Sequence, residues 1–413
     1  MSSVAKINLL FLAGDKFPPF RSDTSVLFAR HLVHRGYKID WLMQSEADCR
    51  QSHETRWKSC RVWVGATDNG TSRWRRLKKH LLNICNDLKT FRLTGQENYD
   101  CIVVKDKFFS ALIAIAVARY RQISLIYWLS YPFPEASLHQ ARHGTARYPL
   151  FYFFRSCLFS VLLYRVIMPA ADHIFVQSEQ MKRDVIAKGI CAGKLTAVPM
   201  GVEITDVPYQ KDLQFMAEQK GEEKKIVYIG TLIRVRKLDF LVRVVALVRK
   251  QVPGVKLYLA GAGDDPVDEQ FILNEAVRLG IADAVVITGF LPKTAVWKFI
   301  QTADVCVSPF YPTFILNSAS PTKLIEYMAM GKAVVANDHP EQKQVLRDSA
   351  GGLCVPYREK AFADAIVELI RNPQKAAEMG QNGRKYVEQH RTYHTIAGMV
   401  DHHFRQISCG RTD

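Results

Sequence analysis

Two series of short apolar strands alternating with helical patterns run along this chain, one on either side of a polar stretch. The first series places strands at residues 7–13, 38–43, 101–104, 124–129, 173–176 and 195–198, with the first strand ending at Gly14. Helical patterns fall between them at 24–35, 110–120, 149–168 and 179–188. Residues 206–223 are polar and lack an apolar period, and a second alternating series runs from Lys225 to residue 390. Strands that alternate with helices build parallel sheets covered on both faces. At 413 residues the chain is too long for one compact core of ordinary size and suits two such domains. The expected fold class is α/β, with two doubly wound Rossmann-like domains. The expected boundaries are an N-terminal domain over 1–205, a linker over 206–223, a C-terminal domain over 224–390, and a terminal helical segment over 391–413.

The run from Ser320 to Ala336 carries the most chemistry. Ser320 is placed as a helix N-cap with Pro321 at the first helical position, where its missing N–H is no loss. Gly331 stands where a left-handed C-terminal residue is expected, and residues 333–336 read as a buried parallel strand. A helix N-terminus with free N–H groups binds anions. Lys323 adds a full charge there, and Glu326, one turn on, can accept two hydrogen bonds from a vicinal diol. Phosphate donors beside a diol acceptor suit a nucleotide-sugar. Ligands of doubly wound sheets bind beyond the carboxyl ends of the strands. Gly230, Gly261, Gly263, Gly289 and Ser308 fall on such ends.

These residues resemble the donor-site signature of the GT-B glycosyltransferases, specifically the retaining family 4 (glycosyl transferases group 1), bacterial polysaccharide type. Val227-Tyr-Ile-Gly-Thr-Leu232 with Arg236, Leu257-Tyr-Leu-Ala-Gly-Ala-Gly263, Ile287-Thr-Gly-Phe290 and Ala303-Asp-Val-Cys-Val-Ser-Pro309 resemble successive strand ends of that family's C-terminal domain. Asp338-His-Pro-Glu341 and Ser349-Ala-Gly-Gly352 continue the match, whereas the N-terminal half matches in layout alone. The resemblance implies two domains facing across a cleft, with the last helix crossing back to the N-terminal domain. It also implies a UDP- or GDP-sugar donor with no other cofactor, and a lipid-linked or saccharide acceptor.

On that footing Arg236, Lys323 and Glu326 are the expected catalytic set. Arg236 faces the donor diphosphate, with Arg234 and Lys237 near enough to compete for the role, and Thr231 stands where relatives often have arginine. Phe290, Pro321, Thr322 and Leu324 complete the donor-binding set with Ser318 and Ser320. Ser318 occupies the position of the family's first glutamate, a departure that bears on how the donor sugar's hydroxyls are held. The chain has no Asp-x-Asp pair, so no metal is expected. Arg21, in the loop after the first strand, is the candidate for an acceptor phosphate, and a surface turn capped by Asp23 is its alternative. Ser130 and Tyr131, after a later strand, are placed with the acceptor.

Charge and apolar pattern add a partner. Residues 1–210 hold 29 Lys/Arg and 17 Asp/Glu, a surplus of 12, whereas residues 211–413 hold 27 and 23, a surplus of 4. A basic half favours an anionic partner. Arg73-Trp-Arg-Arg-Leu-Lys-Lys-His80 is a basic cluster with an interleaved aromatic, and residues 148–168 are apolar around most of their circumference. Arg155 and Arg165 interrupt that segment, which argues against a spanning helix and for an edge dipping into a membrane interface. Nine scattered cysteines without a C-x-x-C pair indicate reduced thiols, and the first apolar run is short for a signal peptide. The expected location is cytoplasmic, peripheral to the inner face of the cell membrane. Two rivals keep the fold: a nucleotide-sugar epimerase or hydrolase, and a silent membrane- or partner-binding protein. Nucleic-acid binding rests on charge alone. A dinucleotide oxidoreductase is disfavoured because Gly261-Ala-Gly263 lacks the third glycine.

Overall fold

In the computed structural model the described residues are 6–70, 72–142, 148–209 and 223–409, without the side chains of Arg73, Arg76 and Cys409. Most of the linker expected over 206–223 lies outside them. The chain divides into two units, Met1–Pro199 together with Tyr393–Asp413, and Met200–Thr392. Residues 200–205, assigned from sequence to the N-terminal domain, therefore pack with the second unit. Val202 bridges to Thr392, and the Met200 N–H donates to Ser320 Oγ at 2.9 Å.

The first unit is built on eight strands, β1 (Asn8–Phe17), β2 (Lys38–Ser45), β3 (His53–Trp57), β4 (Cys60–Gly65), β5 (Cys101–Lys105), β6 (Ser124–Leu129), β7 (His173–Val176) and β8 (Leu195–Ala197). They lie in the order β3-β4-β2-β1-β5-β6-β7-β8, parallel except for the β3–β4 hairpin. β1 does not stop at Gly14. It runs on to Phe17 after an irregularity in its register with β2 between Leu12 and Lys16. β3 and β4 have no counterpart in the sequence reading. β3 is a polar, exposed edge, and its turn places Lys58 and Ser59 at φ +46° and +66° without the usual glycine.

One face of the sheet is covered by the helix Phe108–Arg121 and the turn Leu162–Ile167, which bury Ile102, Val104, Tyr127 and Ile174 beneath them. The other face is covered by Asp23–Leu32 and by the chain's last helix, Tyr393–Cys409. Tyr393, Ile396, Ala397, Val400 and Phe404 form its buried stripe, at the spacing of one helix face, against Phe11, Phe28, Trp41 and Phe175. Tyr37 fixes the helix rotation by donating to Asp401 Oδ1 at 2.7 Å.

The second unit holds β9 (Lys225–Ile229), β10 (Lys256–Ala260), β11 (Val285–Ile287), β12 (Val305–Ser308), β13 (Val334–Asn337) and β14 (Gly352–Val355). Their order is β11-β10-β9-β12-β13-β14, and every neighbouring pair is parallel. The central strands β9, β12 and β13 are buried on both faces and almost wholly apolar, as the middle of a covered parallel sheet requires. The chain leaves β9 toward β10 on one side and returns through β12 on the other. The β9–β12 junction is thus the topological switch point, where the crevice of such a sheet opens.

Candidate functional site

At the carboxyl end of β9 the chain turns through Gly230 at φ +128°. Its N–H is held by Ala260 O at 3.1 Å, and the Leu232 N–H by Ala262 O at 2.8 Å. Gly261, at the end of β10, is packed so closely that an added Cβ would lie 2.0 Å from Gly230 O. Across the switch point the helix Thr322–Ala329 begins. It starts one residue later than expected. Pro321 is the N-cap and Thr322 the first helical residue, because the Ser320 hydroxyl is engaged elsewhere, accepting from Met200 N–H and donating to Glu341 Oε1 at 2.7 Å. Arg391 closes that buried group on Glu341 at 3.0 Å. Gly331 takes the left-handed conformation at φ +68°.

Lys323 is buried in the first turn of this helix and points back at β9. Its Nζ donates to Tyr228 OH at 2.8 Å and stands 4.0 Å from that ring's centroid, with Phe310 at 5.5 Å. A Cβ on Gly230 would come within 3.3 Å of Nζ, so the glycine leaves the ammonium open toward the strand end. Burial, joined by the nearby Arg236 charge, pushes Lys323 well below the ordinary lysine range, against the opposing pull of Glu326. Glu326 is half-buried one turn on. Its carboxyl is pushed up by burial despite Lys293 and Lys323. Arg236 donates from Nε to Thr231 Oγ1 at 2.8 Å.

Gly230, Thr231, Arg236, Gly261, Lys323 and Glu326 are thus gathered at one switch point. Two basic side chains and a helix N-terminus are poised for a dianion, with a carboxyl group one turn away.

Other residues named from the sequence lie apart from this group. The Arg234 guanidinium covers the Phe271 ring at 4.8 Å, which turns its charge from Lys323, and the Arg234 backbone N–H donates to Asp268 beside Gly263. Ser308 is fully buried and donates to Gln342 Oε1, joining β12 to the helix Pro340–Ser349. Ser318 donates to Phe314 O at 3.2 Å, and Leu324 is core. Phe290, after Gly289 at φ +71°, is 87% exposed. His339 caps the helix Pro340–Ser349 through Nδ1 and binds Leu316 O through Nε2 at 2.9 Å, and burial holds it neutral with a pKa of about 4. Tyr228, Phe310 and Lys293 were missed, although Tyr228 lies two residues before Gly230 on a strand, a spacing that puts both on one face.

The first unit has its own charged group at its switch point, between β1 and β5. Lys105 is buried at the end of β5, and its Nζ contacts Asp15, Asp23 and the Thr24 hydroxyl, each at 2.8 Å. Arg21 pairs with Asp23 at 3.3 Å and with Asp15 at 3.8 Å, so its charge is already engaged. Burial would raise Asp23, but Lys105 and Arg21 hold it down at about 2. Asp23 caps no helix: Ser22 is the N-cap of Asp23–Leu32, without a side-chain bond. Ser130 gives its N–H to Asp106 at 2.8 Å and its hydroxyl to the same carboxylate. Asp106 sits at φ +57°, and burial pushes it up. Tyr131 packs edge-on to Phe133 at 5.0 Å, and Phe133 opens the helix Phe133–Arg142. Lys105 and Asp106 were missed; the signal was a charged pair ending the apolar run 101–104. Among the described residues no three His, Cys, Asp or Glu side chains are grouped to hold a metal ion.

The family model for glycosyltransferase family 4 matches residues 25–206, and that for glycosyl transferases group 1 matches residues 210–386. An alpha-maltose-1-phosphate synthase from Mycolicibacterium smegmatis is 25% identical over 267 residues, 59% of this chain. A GDP-mannose-dependent alpha-(1-6)-phosphatidylinositol monomannoside mannosyltransferase from Mycobacterium tuberculosis is 27% identical over 234 residues, 55% of this chain. The chain spans less than two thirds of these curated relatives, 65% of the first and 59% of the second. Among solved structures, sucrose-phosphate synthase from Thermosynechococcus elongatus superposes with a TM-score of 0.75 at 19% identity, covering 98% of this chain and 100% of that one. The Anabaena protein HepE in complex with UDP and glucose gives 0.68 at 14% identity, covering 97% and 99%.

Two parallel-sheet units of this order define the GT-B class of fold. The chain belongs to the GT-B glycosyltransferases.

Proposed function

We propose that the protein is a retaining, metal-independent hexosyltransferase. It moves a hexose from a UDP- or GDP-sugar to a lipid-linked or saccharide acceptor, in polysaccharide or glycolipid synthesis. The observation that carries this reading is the placement of buried Lys323 and of Arg236 around Gly230, with Glu326 one turn further along the same helix. Lys323, Arg236 and the helix N–H groups receive the donor diphosphate, and Glu326 accepts the ribose hydroxyls. As the sugar C1–O bond breaks, its electron pair leaves with the diphosphate, and the two cations stabilise that growing charge. The acceptor oxygen bonds C1 from the same side and passes its proton to the departing phosphate. In this scheme side-chain cations serve where other transferases use a metal. Arg21, Ser130 and Tyr131, at the strand ends of the first unit, are proposed to line the acceptor. The Anabaena structure with UDP supports a uridine donor, and the mycobacterial relative, named for GDP-mannose and a phosphatidylinositol mannoside, supports a guanosine donor and a lipid acceptor.

The test is release of free UDP or GDP from a panel of nucleotide-sugars, with and without membrane extract. Release from one donor that needs extract is the expected result. Glu326→Ala should weaken apparent donor affinity by about a hundredfold or more, the worth of two hydrogen bonds to a charged acceptor. Release of free sugar without extract would replace the transferase reading by a hydrolase. No release from any donor would leave a silent GT-B protein.

A further inference from the structure

We infer that the helical layer on one face of the first unit is a docking surface for an anionic lipid bilayer. The helical run Pro149–Ala170 lies in the bilayer interface there without crossing it. This run has 22 residues, and only 22% of its most apolar stretch is buried. Leu150, Phe151, Phe154, Leu158 and Val161 are between 49% and 76% exposed. Their spacing places them on one stripe of the helix. Of the 23 large apolar side chains exposed among the described residues, 13 lie in the helices Arg73–Asp87, Lys89–Gln96 and Phe108–Arg121 and the run Pro149–Ala170, so the exposure is concentrated in this layer. A contiguous apolar patch of that kind marks an interaction site.

Charge identifies the occupant. The helix Arg73–Asp87 and its continuation Lys89–Gln96 bring Arg75, Lys78, Lys79, Lys89 and Arg92 to the same layer, with Trp74 80% exposed among them. The one acidic residue between 73 and 96 is Asp87, which is fully buried and bound to Lys107 and Ser110. Asp68, beside the first turn, meets Arg75 and Lys78 only at 3.9 and 3.8 Å. The helix Phe108–Arg121 joins the two parts. It packs on both basic helices and on Leu162–Ile167, and Phe108 stacks on Phe159 at 4.4 Å. An apolar stripe beside helices with a surplus of basic charge complements acyl chains under anionic headgroups.

At about 1.5 Å per residue the run is long enough to span a bilayer. Its second half forbids this. Leu163, Tyr164, Ile167 and Met168 are buried in the core beneath the sheet, so crossing would pull that core apart. The inference deepens the proposed function, since a transferase seated here meets a lipid-linked acceptor at its membrane, but lipid binding itself needs no turnover.

The full chain would be floated with vesicles of phosphatidylcholine alone and with added phosphatidylglycerol. The expected result is binding to the anionic vesicles at low salt, release at high salt, and little binding to the neutral ones. Phe151→Glu with Phe154→Glu, and separately Arg75→Ala with Lys78→Ala, should each weaken binding by about tenfold or more while thermal unfolding is unchanged, because all four side chains are exposed. Absence of vesicle binding would overturn the proposal, as would equal binding to both vesicle types. Resistance to alkaline carbonate extraction would overturn it in favour of a spanning helix. Self-association of the lipid-free chain that the phenylalanine substitutions abolish, without vesicle binding, would assign the face to a second copy. A chain that binds vesicles but releases no nucleotide would sink the transferase reading and leave this one standing.

Discussion

Lys323→Ala is expected to slow donor turnover by about 10²–10³-fold, the effect of removing one fixed donor from the charge that develops on a leaving group. Lys323→Arg should restore little of it, because the Nζ site is walled by the Tyr228 ring at 4.0 Å and the Phe310 ring at 5.5 Å. A pH signature separates this role from a structural one. Burial and Arg236 depress the Lys323 pKa in the free protein. A bound diphosphate neutralises Arg236 and adds negative charge, which returns the lysine to its protonated form. Nucleoside diphosphate binding should therefore take up a proton, and its affinity should fall as pH rises above the free-state pKa. The stability sign follows the same linkage. Between the depressed folded pKa and the ordinary value of 10.5 the unfolded chain binds the proton and the folded chain does not, so the ligand-free protein gains stability from this group as pH rises across that window. Titration calorimetry in two buffers of different ionisation enthalpy reads the proton directly. No uptake in the wild-type chain, or uptake that persists in Lys323→Ala, would assign the proton to another group.

Much of this fold was legible because parallel sheets announce themselves. β5, β6, β7 and β9 are continuous apolar runs, and such runs separated by helices leave few other architectures. The β3–β4 hairpin was hidden for the opposite reason. His53, Glu54 and Lys58 are residues of a solvated edge, and a turn built on Lys58 and Ser59 carries none of the Asn-Gly chemistry that marks a hairpin. Of the basic helices Arg73–Asp87 and Lys89–Gln96, the first was read only as a charge cluster over 73–80 and the second not at all, since their mostly polar residues bury a narrow stripe such as Leu93.

In the site, glycines and the Lys323–Glu326 turn could be read from spacing, because close backbone approach and an anion-binding helix start leave fixed residue types. What surrounds them could not. Tyr228 reads as any strand tyrosine until β12 is set beside β9, and only then does its hydroxyl meet Lys323 from 95 residues away. The serines show the same limit: Ser308 and Ser320 look like ligand donors in one dimension, whereas in the fold their hydroxyls bond Gln342 and Glu341, which arrive from the helix after β13. In the first unit Arg21 was singled out for its charge, and the carboxylates that engage it come from β1 and the helix start together.

Gly261→Ala should lower the stability of the second unit by about 2–3 kcal/mol, the upper range for forcing a carbon into a packed interior. The new Cβ would stand 2.0 Å from Gly230 O and 2.9 Å from its carbonyl carbon. Both are backbone atoms, so relief requires the ends of β9 and β10 to part and the Gly230 N–H bond to Ala260 O to lengthen. Gly280→Ala is the internal control. Gly280 sits at φ +66° with nothing within 4 Å of an added Cβ, so only left-handed strain is introduced, worth about 1 kcal/mol. Denaturant midpoints distinguish the two. The larger consequence is functional, since any movement that relieves Gly261→Ala shifts Gly230 away from Lys323. The nucleoside diphosphate identified by the donor panel should raise the unfolding midpoint of the wild-type and Gly280→Ala chains alike and leave Gly261→Ala nearly unmoved. An equal ligand-induced shift in all three would mean that the β9 turn does not hold the diphosphate, and the Lys323 pocket would then have to bind it without help from that strand end.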